Sequence, residues 1–206
     1  MKTRKMMIIL MLFALVLGGC SSPELNEGED RVLRMAKSVD PDGLDPQRSV
    51  AESTFEITST LYDTLLEVQE DGSLLPGIAE SYGLSEDGLS LVFVIKEGLR
   101  FHNDKILDAE AVKNSFLRLK EEESPRAKDY LNFTRINVLS QWEIEFVLGE
   151  PQAEVLTLFA YPWAAIVEAS AENLRSKPIG SGAYKLSEWI PQQHISLESF
   201  DGSYRD

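Results

Sequence analysis

The stretch Gly98–Phe116, GLRFHNDKILDAEAVKNSF, decides how the whole chain is read. It sets His102 among Asn103, Asp104, Asp108, Glu110 and Asn114. That composition suits either a metal or acid/base site, or a polar turn entering a helix. A metal needs several ligands at bonding distance, and the chain has two histidines, His102 and His194, with no HxxxH or HxH spacing. Each acid has a local use instead. Asp108 stands at a helix N-cap, where a carboxylate accepts from backbone N–H groups, and Glu110 falls in the first turn, where the helix dipole favours negative charge. Val112, Phe116 and Leu119 then recur on one helical face, with Lys113 and Lys120 turned outward. The stretch is a turn and a capped helix.

Working outward, the helix runs to EEESPR, where Pro125 stops it. Before it, Leu91–Ile95 is a compact β-branched and aromatic run bounded by EDG and KEG, expected to be a strand buried on both faces. After it, Gln141–Leu148 alternates, with Trp142, Ile144, Phe146 and Leu148 on one side and Glu143 and Glu145 on the other. Glu52–Glu67 has helical spacing, with LPGIAES as a connection beyond it, and VLRMAKSV from Arg31 is expected to be a first strand. Residues 153–168 are expected to be helical up to Tyr161-Pro162. AYKLSEW and HISLESF, joined by IPQQ, read as a β-hairpin.

The N-terminus speaks to location. Lys2, Arg4 and Lys5 precede an apolar run from Met6 to Leu17, then Gly18, Gly19 and Cys20, the pattern of a secretory signal peptide. That run is shorter than the roughly 20 residues of a spanning helix. Residues 20–30 are expected to be a flexible tether. Loss of residues 1–19 would leave 17 Lys+Arg against 34 Asp+Glu, a formal charge of −17. Such a surface repels phosphate backbones, so nucleic acid is not an expected partner.

Catalytic patterns fail one by one. Ser181 lies in Ile179-Gly180-Ser181-Gly182, which lacks the first glycine of a nucleophile elbow. Asp40–Asp45 lacks the spacing and the closing Glu of a calcium loop, and no Gly-rich phosphate loop occurs. Trp142, Trp163 and Trp189 are read as core or interface anchors. No enzyme, catalytic residue, metal or cofactor is expected.

Three segments carry a family resemblance: VDPDGLDPQ with LYDTLLEV, then LLPGIAESYGLSEDGLSLVFVIKEGLRFHNDKILDAEAVKNSF, then KPIGSGAYKLSEWIPQQHISLESF. In this order they resemble the N-terminal part of family 5 extracellular solute-binding proteins, the peptide, dipeptide and nickel receptors of ABC importers. Asp104 stands where that family usually has Gly, Ile106 where it often has Pro, and Ala183 where Pro is common. Leu17-Gly18-Gly19-Cys20 resembles a lipobox, which implies acylation of Cys20 and anchoring to a membrane.

The resemblance implies an α/β, periplasmic-binding-protein-like clamshell of type II, of which this chain would supply part of lobe I. Residues 31–50 and 170–206 would belong to the lobe core and 51–169 to the family's extra subdomain. Ser49, Val50, Ala51 and Glu52, after the LDP motif, and Tyr130, after Ser124-Pro125, are the implied ligand contacts. The implied partners are a peptide ligand and an ABC permease with its ATPase, at the outer side of the plasma membrane or in the periplasm. A nickel or other small-solute receptor, or a non-transport lipoprotein using the same fold as adaptor, chaperone or adhesin, is the alternative. Relatives are more than twice as long, so a truncated N-terminal fragment is expected, with weak ligand binding and exposed strand edges.

Overall fold

The computed structural model describes residues 33–205. The expected signal peptide, Cys20 and the expected tether lie outside the described residues. The chain divides into a leading unit, Met1–Lys37, and a body, Ser38–Asp206. In the leading unit residues 33–37 form no regular element, so the strand expected from Arg31 is not formed over them. Strand-like composition does not suffice without a neighbour to complete the ladder.

In the body, the deciding stretch folds as its residues dictate. The Asp108 carboxylate accepts from the Ala111 N–H at 3.0 Å and caps helix α2, which runs Ala109–Leu119. Helix α1, Glu52–Leu61, precedes it. The apolar spacing beyond Leu61 misleads: Tyr62 is extended, and Leu66–Val68 is strand β1, paired antiparallel with β2, Leu74–Pro76, across the Asp71-Gly72 turn. The short connection LPGIAES likewise contains the start of strand β3, Ala79–Leu84.

Strands β3, β4 (Ser90–Ile95), β5 (Phe133–Ser140) and β6 (Glu143–Leu148) form one antiparallel sheet in the order β3-β4-β6-β5. Its register pairs Phe93 with Ile144 and Leu91 with Phe146. Leu91, Phe93 and Ile95 are buried while Val92 and Val94 are half-buried, so β4 has one core face rather than two. Val112, Phe116 and Leu119 of α2 belong to the same core as this sheet. The centre is aromatic: Phe146 meets Phe159 at 4.8 Å, Phe116 at 4.9 Å and Phe133 at 5.5 Å between ring centroids.

The segment 153–168 is not a helix. It makes two 3-10 turns, Val155–Phe159 and Pro162–Ala164, because Pro162 interrupts the backbone bonding a continuous helix needs. The expected hairpin is present as β7, Tyr184–Ile190, and β8, His194–Ser199. Among the described residues no helix is long and apolar enough to cross a membrane.

The turn before α2 explains one departure from the family pattern. Asp104 has φ 64°, and its N–H donates to the Phe101 carbonyl at 2.9 Å. L-residues strain in that region and glycine does not. Asp104→Gly is therefore expected to raise stability by up to about 1 kcal/mol, less what glycine adds to unfolded-chain entropy. Urea unfolding checks this, and a clear loss of stability would contradict it.

Candidate functional site

The site is built on the loop between Asp42 and α1. Asp45 caps the 3-10 turn Pro46–Arg48 by accepting from the Gln47 N–H at 3.1 Å. Ser49 follows in extended conformation. Its hydroxyl donates to Asp42 Oδ1 at 2.7 Å and accepts from the Ala51 N–H at 3.0 Å. Thr54 of α1 donates to the same Asp42 oxygen at 2.7 Å. Burial opposes the charge on Asp42, yet these two hydroxyls and the nearby Arg175 outweigh it and hold the carboxyl below its usual range.

The four residues after the LDP motif thus divide by role. Ser49 is buried and its hydroxyl is spent on shaping the loop. Val50 is 62% exposed, and among the described residues neither its N–H nor its C=O is hydrogen-bonded. Ala51 is the half-buried N-cap position of α1, extended at φ −82° and ψ 127°, and Glu52 is exposed in the first turn. Ser49 and Ala51 are extended, and between them Val50 has main-chain groups to offer, while those of Ala51 are taken by Ser49, Thr54 and Phe55.

Tyr130 is placed elsewhere than on this loop. It is fully buried, its ring is 6.0 Å from those of Phe116 and Phe133, and its hydroxyl donates to the Leu158 carbonyl at 2.8 Å. Burial pushes that hydroxyl far above its ordinary value, with Trp163, Asp129, Tyr161 and Arg126 as its polar surroundings. Tyr130 therefore forms the floor beneath a surface group that sequence reasoning missed.

That group is Tyr161, Trp163 and Arg126, all half-buried. Tyr161 and Trp163 stack at 4.4 Å with 19° between planes, and the Arg126 guanidinium lies 4.3 Å from the Trp163 ring centroid. Trp163 also meets Phe55 of α1 at 5.9 Å. The 162–164 turn packs on both α1 and the 46–48 turn, which places the stack close to the Ser49–Glu52 loop. Two of its donors, Arg126 Nε and Trp163 Nε1, are buried without a hydrogen-bond partner, and the indole N–H lies near the Tyr130 hydroxyl. Buried orphan donors cost about 1–3 kcal/mol each, and these two have no accessible surface through which a bound ligand could reach them. The available signal was the Tyr161-Pro162-Trp163 triplet: proline favours a turn start, and here the turn carries the stacked pair.

His102 serves the frame rather than the site. Its Nδ1 accepts from the Gly180 N–H at 3.4 Å and its Nε2 reaches the Gly182 carbonyl at 3.1 Å, which fixes the proton on Nε2. Phe200 meets the ring edge-on at 5.0 Å. Burial lowers the pKa of His102 below its ordinary 6.5, opposed by the Gly182 carbonyl and Asp63 and aided by Lys185. The unfolded chain takes up this proton first as pH falls, so stability present above 6.5 declines below it, down to the folded pKa. NMR titration is expected to give His102 a midpoint under 6.5, and a midpoint above it would contradict this. Among the described residues no three His, Cys, Asp or Glu side chains are grouped to hold a metal ion.

Comparison with known proteins finds solute-binding proteins of similar sequence and fold. The E. coli K12 dipeptide-binding protein is 27% identical over 193 residues, covering 79% of this chain and 36% of its own. A solved nickel ABC transporter protein from Bacillus halodurans is 27% identical with TM-score 0.72, over 81% of this chain and 34% of its own. The dipeptide-binding protein of Pseudoalteromonas sp. SM9913, solved with Met-Leu, shares the fold at TM-score 0.76 and 20% identity, over 82% and 39% of the two chains. The chain thus spans between 33% and 39% of the length of these curated relatives. These neighbours have the type II periplasmic-binding-protein fold, and this chain is a partial α/β version of it. The model of bacterial extracellular solute-binding proteins, family 5, a family of receptors rather than enzymes, matches residues 73–206. On that match, the chain belongs to the bacterial extracellular solute-binding proteins of family 5.

Proposed function

We propose that this chain forms one wall of the ligand site of an ABC-importer receptor for dipeptides or oligopeptides. The observation that carries the proposal is the exposed main chain of Val50, unpaired among the described residues, beside the Tyr161–Trp163–Arg126 group. Peptide receptors that accept varied sequences need affinity from main-chain hydrogen bonds and tolerance from apolar faces. The Val50 main chain supplies the first and a stacked Tyr161–Trp163 pair supplies the second. Val50, Ala51 and Glu52 are assigned as contacts, Ser49 as the residue that shapes their loop, and Tyr130 as support beneath Trp163.

In this reading residues 31–50 and 170–206 belong to the core of the first lobe and 51–169 to its extra subdomain. Cys20 carries the lipid that anchors the receptor outside the plasma membrane, where it presents ligand to the permease and its ATPase. Several buried acyl chains, each CH₂ contributing about 0.8 kcal/mol, suffice for such an anchor.

Calorimetric titration of the full-length gene product with Met-Leu and longer peptides tests the function. Saturable binding is expected, at least about tenfold weaker in Trp163→Ala, the share of an aromatic anchor. Residues 21–206 alone are expected to bind weakly, because closed sites bury about 70–90% of a ligand and one wall cannot. Binding of nickel–histidine with no binding of any peptide would favour the small-solute reading and sink this one.

A further inference from the structure

Helix α2 carries two inward polar residues one turn apart, Ser115 and Arg118, among Val112, Phe116 and Leu119. Polar groups in such a position cost free energy unless each finds a partner, and here they do. Arg118 donates through Nη1 to Gln47 Oε1 at 2.7 Å and to Asp45 Oδ1 at 3.2 Å, and through Nη2 to Asp45 Oδ2. Gln47, 1% exposed, donates through Nε2 to Ser115 Oγ at 3.0 Å, to the Ser115 carbonyl at 3.2 Å and to the Ala165 carbonyl at 3.3 Å. Ser115 Oγ in turn accepts from the Val167 N–H at 3.0 Å.

The network touches both parts of the candidate site at once. Asp45 and Gln47 begin the loop that carries Val50 to Glu52, and Ala165 and Val167 follow the turn that carries Trp163. Neither segment belongs to a sheet or an α-helix, so side-chain bonds of this kind fix where each lies. We infer that Gln47, seated on Ser115 and Arg118, is a positioning residue that sets the Val50 main chain and the Trp163 stack in one fixed relation. This rests on the peptide-site reading for its purpose, but not for its geometry.

The test is hydrogen exchange on the full-length gene product and three variants. Gln47→Met keeps the bulk and removes every side-chain bond; exchange is expected to rise about tenfold, the loss of one to two hydrogen bonds, in 45–52 and in 163–167 together. Strands β4 and β6 are expected to be unchanged. Gln47→Glu keeps the Arg118 partner but loses the donors, so 163–167 is expected to loosen more than 45–48. Response of one segment alone, or of the whole protein uniformly, would overturn the inference. If Gln47→Met does not fold, Ser115→Ala is judged by the same pattern. Met-Leu titration runs in parallel, and binding weakened with the melting temperature kept supports positioning. A parent protein that binds no peptide defeats the functional reading alone, and the exchange pattern still decides this one.

Discussion

Gly182→Ala is expected to cost about 3 kcal/mol or more, at the top of the overpacking range, or to prevent folding. A Cβ at Gly182 would lie 2.4 Å from the Thr60 carbonyl oxygen and 2.5 Å from the Leu61 carbonyl carbon. At Gly180 it would lie 2.1 Å from the Leu61 oxygen. Those atoms are backbone at the end of α1 and cannot swing aside. Relief would push the β7–β8 hairpin off α1, breaking the bond from the Gly182 N–H to Leu61 at 3.0 Å. The His102 N–H bond to the Gly180 carbonyl at 2.8 Å would go with it. Gly83 is the control: nothing lies within 4 Å of its Cβ position, so Gly83→Ala is expected to be tolerated. Thermal melts decide, since 1 kcal/mol is worth about 2–4 °C in a chain of this size. A Gly182→Ala melt within a degree or two of the parent would contradict the packing described.

Phe146→Ala is expected to cost about 3–5 kcal/mol, the range for removing a buried aromatic side chain. Phe146 is fully buried in β6 and touches Phe93, Phe116, Phe133 and Phe159, so its loss leaves a cavity walled by four rings. The edge-to-face geometry with Phe93, Phe116, Phe133 and Phe159 adds to the area term. Since small domains hold about 5–15 kcal/mol in all, this one change takes a large share. Phe146→Leu keeps most of the volume and is expected to cost about half as much. Urea unfolding should show a lower midpoint with the slope unchanged. A cost under about 1 kcal/mol for Phe146→Ala would mean the aromatic centre is not where the stability lies.

Elements with a local cause were legible in the sequence. Asp108 and the Val112–Phe116–Leu119 spacing fix α2, and the alternation of Ile144, Phe146 and Leu148 fixes β6. The elements misread were those decided by a partner. Leu66–Val68 continues a helical pattern but pairs with Leu74–Pro76, and β3 is an almost wholly exposed edge strand without apolar periodicity. Residues 153–168 are apolar enough for a helix, yet Pro162 and the left-handed Glu154 (φ 57°) shorten them into turns. For the site, the loop after the LDP motif was visible by resemblance. The hydrogen bonding that separates Ser49 from Val50 was not, because it depends on Asp42 seven residues away. Trp163 and Arg126 are 37 residues apart, and no local pattern announces that they stack.

The most direct test is a crystal structure of the full-length gene product with a bound dipeptide such as Met-Leu. The peptide main chain is expected within hydrogen-bond distance of the Val50 N–H or C=O, with a side chain against the Tyr161–Trp163–Arg126 group. A ligand bound elsewhere, touching neither the Val50 main chain nor the Trp163 stack, would contradict the assignment of this wall.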